Sequence, residues 1–174
     1  MNIPFSPPDI TEEEIEAVAE VMRSGWITTG PKTKELERKM AEFTHTNRGV
    51  CLNSATSCME MALRLFEIGP GDEVIVPAYT YTASASVVCH VGATLRLVDV
   101  EKGTFHIDYA AVESMINENT KAIIPVDLGG VMVDYDHILS LRDSQTSYFS
   151  LDAADRGSLL HRLILAGSVR GYGG

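Results

Sequence analysis

The residues best placed to do chemistry in this sequence are small and hydroxyl-bearing. In V50-C-L-N-S-A-T-S-C-M-E-M-A-L63 an apolar run stops at Asn53, and Ser54, Ala55 and Thr56 follow. Apolar residues then return at helical spacing, at Met59, Ala62, Leu63 and Phe66. A turn of small residues after a parallel strand lets the backbone approach a ligand closely. The amides of Ala55 and Thr56 point out of a helix N-terminus, and the helix dipole with the Thr56 or Ser57 hydroxyl adds to an anion site. The competing reading is a plain helix cap by Ser54, which needs no ligand. The stretch has neither the G-x-x-x-x-G-K of a P-loop nor a G-x-G-x-x-G fingerprint.

Two further stretches have chemistry in reach. P77-A-Y-T-Y-T-A83 lies just past a buried parallel strand, at the end of the sheet where α/β proteins bind ligands. Tyr79 and Tyr81 there can stack on a planar ring, or they can pack on the sheet edge. In D152-A-A-D155, Asp152 ends a possible strand over 147–152. A carboxylate at that point can hold a protonated ring nitrogen, or it can cap a helix. The five histidines (45, 90, 106, 137 and 161) show no metal-ligand spacing, so no metal site is expected.

These residues need elements to hold them. Three prolines fall within residues 1–10, and Asp9 or Thr11 can cap a helix whose apolar face is Ile15, Val18, Ala19 and Met22. W26-I-T-T-G-P31 reads as an exposed segment. A second helix, from about Thr33 to Phe43, should turn Leu36, Met40 and Phe43 inward. Then strands and helices alternate: strand 50–52, helix 55–67, turn 69–73, strand 74–77, helix 80–90, strand 93–100, helix 108–118 and strand 122–126. Unalternating apolar strands between helices predict an α/β fold, a mostly parallel sheet with helices on both faces. After residue 140 the periodicity fades.

Bulk composition narrows the functions. The 174 residues carry a formal net charge of −10, with 45% hydrophobic and 22% charged residues. That acidity argues against nucleic acid and against anionic membrane surfaces. It leaves room for a local phosphate site built from backbone amides. The three cysteines (51, 58 and 89) form no C-x-x-C pair and read as buried small hydrophobes. No apolar run reaches membrane-spanning length, and a soluble cytoplasmic protein is expected.

In order, P-D-I-T-E-E-E-I, S-G-W-I-T-T-G-P, N-S-A-T-S-C-M-E-M-A-L, G-P-G-D-E-V-I-V-P-A-Y-T-Y-T-A-S, G-A-T-L-R-L-V-D-V and T-K-A-I-I-P-V-D-L-G-G resemble the amino-terminal half of the DegT/DnrJ/EryC1/StrS sugar aminotransferases. The resemblance runs from about residue 3 to residue 138. It implies residues 1–140 as the amino-terminal part of a fold-type I large domain that binds pyridoxal 5′-phosphate (PLP). Residues 141–174 would be a divergent or truncated tail, with the small C-terminal domain absent. It also implies roles by position. Ala55 and Thr56 would bind the cofactor phosphate through their amides, Tyr81 would stack on the pyridine ring, and Asp152 would pair with the pyridinium nitrogen. Thr29 and Gly30 would lie near the substrate, at a homodimer interface. The implied substrates are a keto-sugar, usually nucleotide-linked, and an amino donor such as glutamate.

Two departures qualify the resemblance. The family's Schiff-base lysine sits in a segment like S-F-H-x-x-K, whereas the lysines here are at 32, 34, 39, 102 and 121. The family's D-A-A-H reads D-A-A-D, with Asp155 in the histidine's place. Three readings follow. The first is an aminotransferase family member represented by a partial chain, inactive alone. The second is a lysine-free relative, either a sugar dehydratase or a PLP-binding protein, with His161 as the only late histidine. The third is a non-catalytic dimerising α/β remnant.

Overall fold

The computed structural model describes residues 8–144. The chain divides after Asn53 into two compact units.

The first unit holds two helices. α1 (Glu12–Arg23) starts with a capping box. The Thr11 amide donates to Glu14 Oε2 at 2.7 Å, and the Thr11 hydroxyl accepts from the Glu13 amide at 3.2 Å. Thr11, rather than Asp9, is therefore the cap. Glu12, Glu13 and Glu14 lie in the first turn, where negative charge suits the helix dipole. α2 (Pro31–Phe43) begins at the proline itself, two residues before the expected Thr33. Proline at the first helical position loses no hydrogen bond, because that amide has no intrahelical partner.

The expected inward face of α2 is corrected. Leu36, Met40 and Phe43 are exposed, Phe43 at 81%, and Ala41 is the buried residue of this helix. The apolar stripe exists at the predicted spacing, but spacing alone does not supply a surface to bury it. The expected strand at 50–52 is also absent. Val50 is 75% exposed, and the segment joins no ladder among the described residues. A three-residue apolar run becomes a strand only beside a neighbour that completes its hydrogen bonds. Instead, the Cys51 amide donates to Glu37 Oε1 at 3.0 Å.

The second unit is a parallel sheet between helices, as expected. α3 (Ala55–Leu65), β1 (Glu73–Pro77), α4 (Ala83–His90), β2 (Thr94–Val98), α5 (Tyr109–Met115), β3 (Thr120–Ile123) and α6 (Tyr135–Ser144) follow in order. The described sheet has three strands, β2-β1-β3, all parallel, with β1 in the centre. Alternation along β1 splits the core in two. Val74 and Val76 pack with Met59 and Leu63 of α3 and Val87 and Val88 of α4. Ile75 packs on the opposite face with Val112 of α5 and Ile138 and Leu141 of α6. Each fully buried aliphatic side chain contributes about 1.5–3 kcal/mol relative to exposure. The central strand is thus anchored from both faces.

The turn before β1 is fixed by side-chain chemistry. Asp72 Oδ2 accepts from the Gly69 amide at 3.0 Å, and Gly71 sits at φ 97°, a conformation glycine adopts without a Cβ clash.

Candidate functional site

The first turn of α3 shows the helix cap that one reading of the 50–63 stretch expected. Ser54 does cap the helix, accepting from the Ser57 amide at 3.1 Å, while its carbonyl accepts from Cys58 at 3.1 Å. That cap uses Ser57 and leaves the Ala55 and Thr56 amides without a partner among the described residues. Ala55 is exposed and Thr56 half-buried, so both amides sit where a helix dipole places partial positive charge. The cap and the two unpartnered amides therefore share one turn.

The segment after β1 also divides. The Ala78 amide donates to the Val98 carbonyl at 2.7 Å, continuing the ladder to β2. The Tyr79 ring stacks on Phe105, with centroids 5.3 Å apart and planes at 17°. Tyr79 thus takes the packing role. Tyr81 is 69% exposed and makes no ring contact among the described residues, so its face is open for stacking. Thr80 and Ser84 lie hydroxyl to hydroxyl at 3.3 Å, joining this turn to the start of α4.

Topology brings Ala55, Thr56 and Tyr81 to one end of the sheet. α3 leads through a short connection into the start of β1, and its residues 60 and 64 meet His90 at the end of α4. The two helices therefore run alongside each other, with both first turns toward the strands' carboxyl ends. This is the end where parallel sheets hold ligands. Thr29 and Gly30 belong to the other unit. There the Trp26 indole donates to the Thr29 carbonyl at 3.1 Å, and a Cβ on Gly30 would overlap that ring. Asp152 lies outside the described residues.

One group went unassigned in the sequence reading. Asp127, just past β3, is 9% exposed, and both of its oxygens are used. Oδ1 accepts from the Val133 amide at 3.0 Å and Oδ2 from the Tyr135 hydroxyl at 2.9 Å. Tyr109 accepts from the Asp134 amide at 2.7 Å and stacks on His137 at 4.5 Å. Burial first, and then the bond to Asp127, pushes the Tyr135 phenol well above its ordinary range. Burial also raises Tyr109. The clasp closes the turn containing Gly129 and Gly130, both at positive φ. The Gly-Gly pair after Asp127 is a local signal for a turn, but nothing local links Asp127 to a tyrosine eight residues on.

The donor set fits a phosphate better than a metal. Backbone amides and hydroxyls dominate it, and among the described residues no group of three His, Cys, Asp or Glu side chains converges. No described helix is long and apolar enough to cross a membrane.

Residues 8–158 match the family described as DegT/DnrJ/EryC1/StrS aminotransferases. The chain belongs to this family. The matched range contains Thr29, Gly30, Ala55, Thr56, Tyr81 and Asp152. Among its relatives is the spore coat polysaccharide biosynthesis protein SpsC of Bacillus subtilis, 35% identical over 167 residues, 96% of this chain. Another is the UDP-4-amino-4-deoxy-L-arabinose–oxoglutarate aminotransferase of Shewanella sediminis, 44% identical over 139 residues, 80% of this chain. The chain spans 43% and 36% of the lengths of these two relatives. Among solved structures, Spr1654 of Streptococcus pneumoniae, described as a sugar aminotransferase, is 57% identical in its PMP form. The match covers 85% of this chain and 37% of that one, with a TM-score of 0.81. The PLP form of the same protein gives the same TM-score.

Proposed function

We propose that this family member carries the phosphate and ring contacts of a PLP pocket of a sugar aminotransferase. The observation that supports this most is the match to Spr1654, a relative solved in PLP and PMP forms, over the stretch holding α3 and the Tyr79–Tyr81 turn. In this reading the Ala55 and Thr56 amides hold the cofactor phosphate. Tyr81 covers one face of the pyridine ring, and Asp152 keeps the ring nitrogen protonated. When bound, the cofactor supplies an electron sink for proton removal from an amine carbon. Thr29 and Gly30 lie toward the substrate, in a homodimer. The full reaction would pass an amino group from a donor such as glutamate to a keto-sugar, usually nucleotide-linked, in the cytoplasm.

Residues 1–140 form the amino-terminal part of the PLP-binding large domain in this proposal, and 141–174 a divergent tail. None of the five lysines stands in a segment like the family's S-F-H-x-x-K. The 174-residue chain then has no lysine in the family's position to bond the cofactor covalently or to move its proton. Any PLP it takes up is held weakly and non-covalently, and it turns over no substrate. The test is PLP titration of the purified chain, followed by glutamate. Saturable absorbance change without borohydride-fixed cofactor, and no spectral response to glutamate, is the expected result. A glutamate-dependent conversion to the PMP spectrum would overturn it. A dehydration product from a nucleotide-linked sugar would instead favour the lysine-free dehydratase.

A further inference from the structure

One carboxylate, at the middle of α3, fastens that helix to the end of α4 farthest from the proposed pocket. Glu60 Oε1 accepts from Arg64 Nε at 2.9 Å and Nη2 at 2.8 Å, and Glu60 Oε2 meets His90 Nδ1 at 2.9 Å. The His90 contact requires the imidazole proton on Nδ1, since a carboxylate only accepts. Arg64 Nη2 also reaches the His90 carbonyl at 3.4 Å, at the C-terminal end of α4. Glu60 is half-buried, and both of its oxygens are engaged.

We infer that Glu60 is a positioning residue. Through His90 and Arg64 it fixes how α3 and α4 lie side by side, and so holds the first turn of α3 in register with the Tyr79–Tyr81 turn. The inference rests on the proposed function for what the register serves, but not for its existence. Three features support it. Among the described charged groups, Glu60, Arg64 and His90 are those that link these two helices. The adjoining strands turn Val74, Val76 and Leu95 toward the helix pair. The strands' own charges, Glu73 and Arg96, pair at 3.2 Å on the opposite face, as alternation along a strand requires. The link is thus laid over an apolar contact that has no direction of its own and allows sliding. The Arg64 bond, and then the His90 bond, holds the Glu60 carboxyl below the usual carboxylate range. A depressed value means the contribution is present above the unfolded-state pKa and is lost as pH falls through the folded one.

The test uses the 174-residue chain with Glu60→Gln, His90→Ala, their combination, and His90→Asn, whose amide nitrogen can replace Nδ1. Amide hydrogen exchange is read at Ser57, Cys58 and Ser86, in the first turns of α3 and α4. The first two variants should each speed exchange there by about 2–5-fold, in keeping with the strength of exposed pairs. The double variant should do no more than either alone, and His90→Asn should restore slow exchange. Faster exchange confined to residues 60–64 and 88–91, additive effects, or no rescue by Asn would overturn the inference. PLP titration of the unaltered chain is a separate arm. If it shows no binding, the cofactor proposal falls and the exchange pattern still decides the role of Glu60.

Discussion

At the scale of single residues, the turn after β3 rests on Asp127. Replacing it with Ala leaves the Val133 amide and the Tyr135 hydroxyl without their acceptor. A buried unsatisfied group costs about 1–3 kcal/mol, so D127A should destabilise the chain by about 2–3 kcal/mol in urea unfolding. D127N keeps Oδ1 as an acceptor and should lose less. Gly30 gives a second residue-scale expectation. Since a Cβ there would meet the indole, Gly30→Ala should displace Trp26 from the Thr29 carbonyl. Trp26 is the single tryptophan, so the emission of the folded protein should move to longer wavelength. Unchanged emission would show that the ring accommodates the methyl group.

At the scale of elements, tyrosine hydroxyls tie the start of α6 to α5 and to the turn past β3, while Ile138 and Leu141 pack on the sheet. The Tyr135 phenol is raised in the folded chain, with burial and the Asp127 bond as causes. A raised folded-state value means its contribution is complete below the unfolded-state pKa of about 10 and is lost as pH climbs through the folded value. The melting temperature should therefore fall above about pH 10, and Tyr135→Phe should flatten that alkaline decline. Equal slopes in the two proteins would assign the alkaline loss elsewhere. Cap strength belongs to the same scale. Ser54→Ala removes the acceptor for Ser57 and should cost about 1 kcal/mol, measured by thermal melting.

At the scale of the whole molecule, the apolar faces of α1 and α2 dominate. Ile15, Val18 and Met22 lie three and four residues apart, as do Leu36, Met40 and Phe43, and all six are exposed. Faces of this kind favour association. The chain should behave as a dimer or larger species in light scattering at micromolar concentration, and Val18→Glu with Phe43→Glu should shift it toward monomer. A monodisperse wild-type monomer with a cooperative melt would contradict this. The expectation agrees with the homodimer proposed for the family member, although the stripes alone do not choose the partner.

The sequence by itself determined the class of the fold and the family. The apolar runs at 74–77 and 122–126 admit little besides buried parallel strands, because no alternation leaves a wet face. Six motifs in order specify the family far beyond any one of them. The Ser54 cap and the free amides beside it were also legible, since a helix start is written within four residues. Tertiary structure decided what depends on a distant neighbour. It left 50–52 without a ladder and the α2 stripe exposed. It gave Tyr79 to Phe105 and left Tyr81 open, though the two look alike in sequence. It joined Asp127 to Tyr135, and Glu60 to His90 thirty residues away. Local pattern fixes which face a residue presents. Only the folded chain fixes what stands opposite that face, because contact energies depend on geometry that no window of sequence contains.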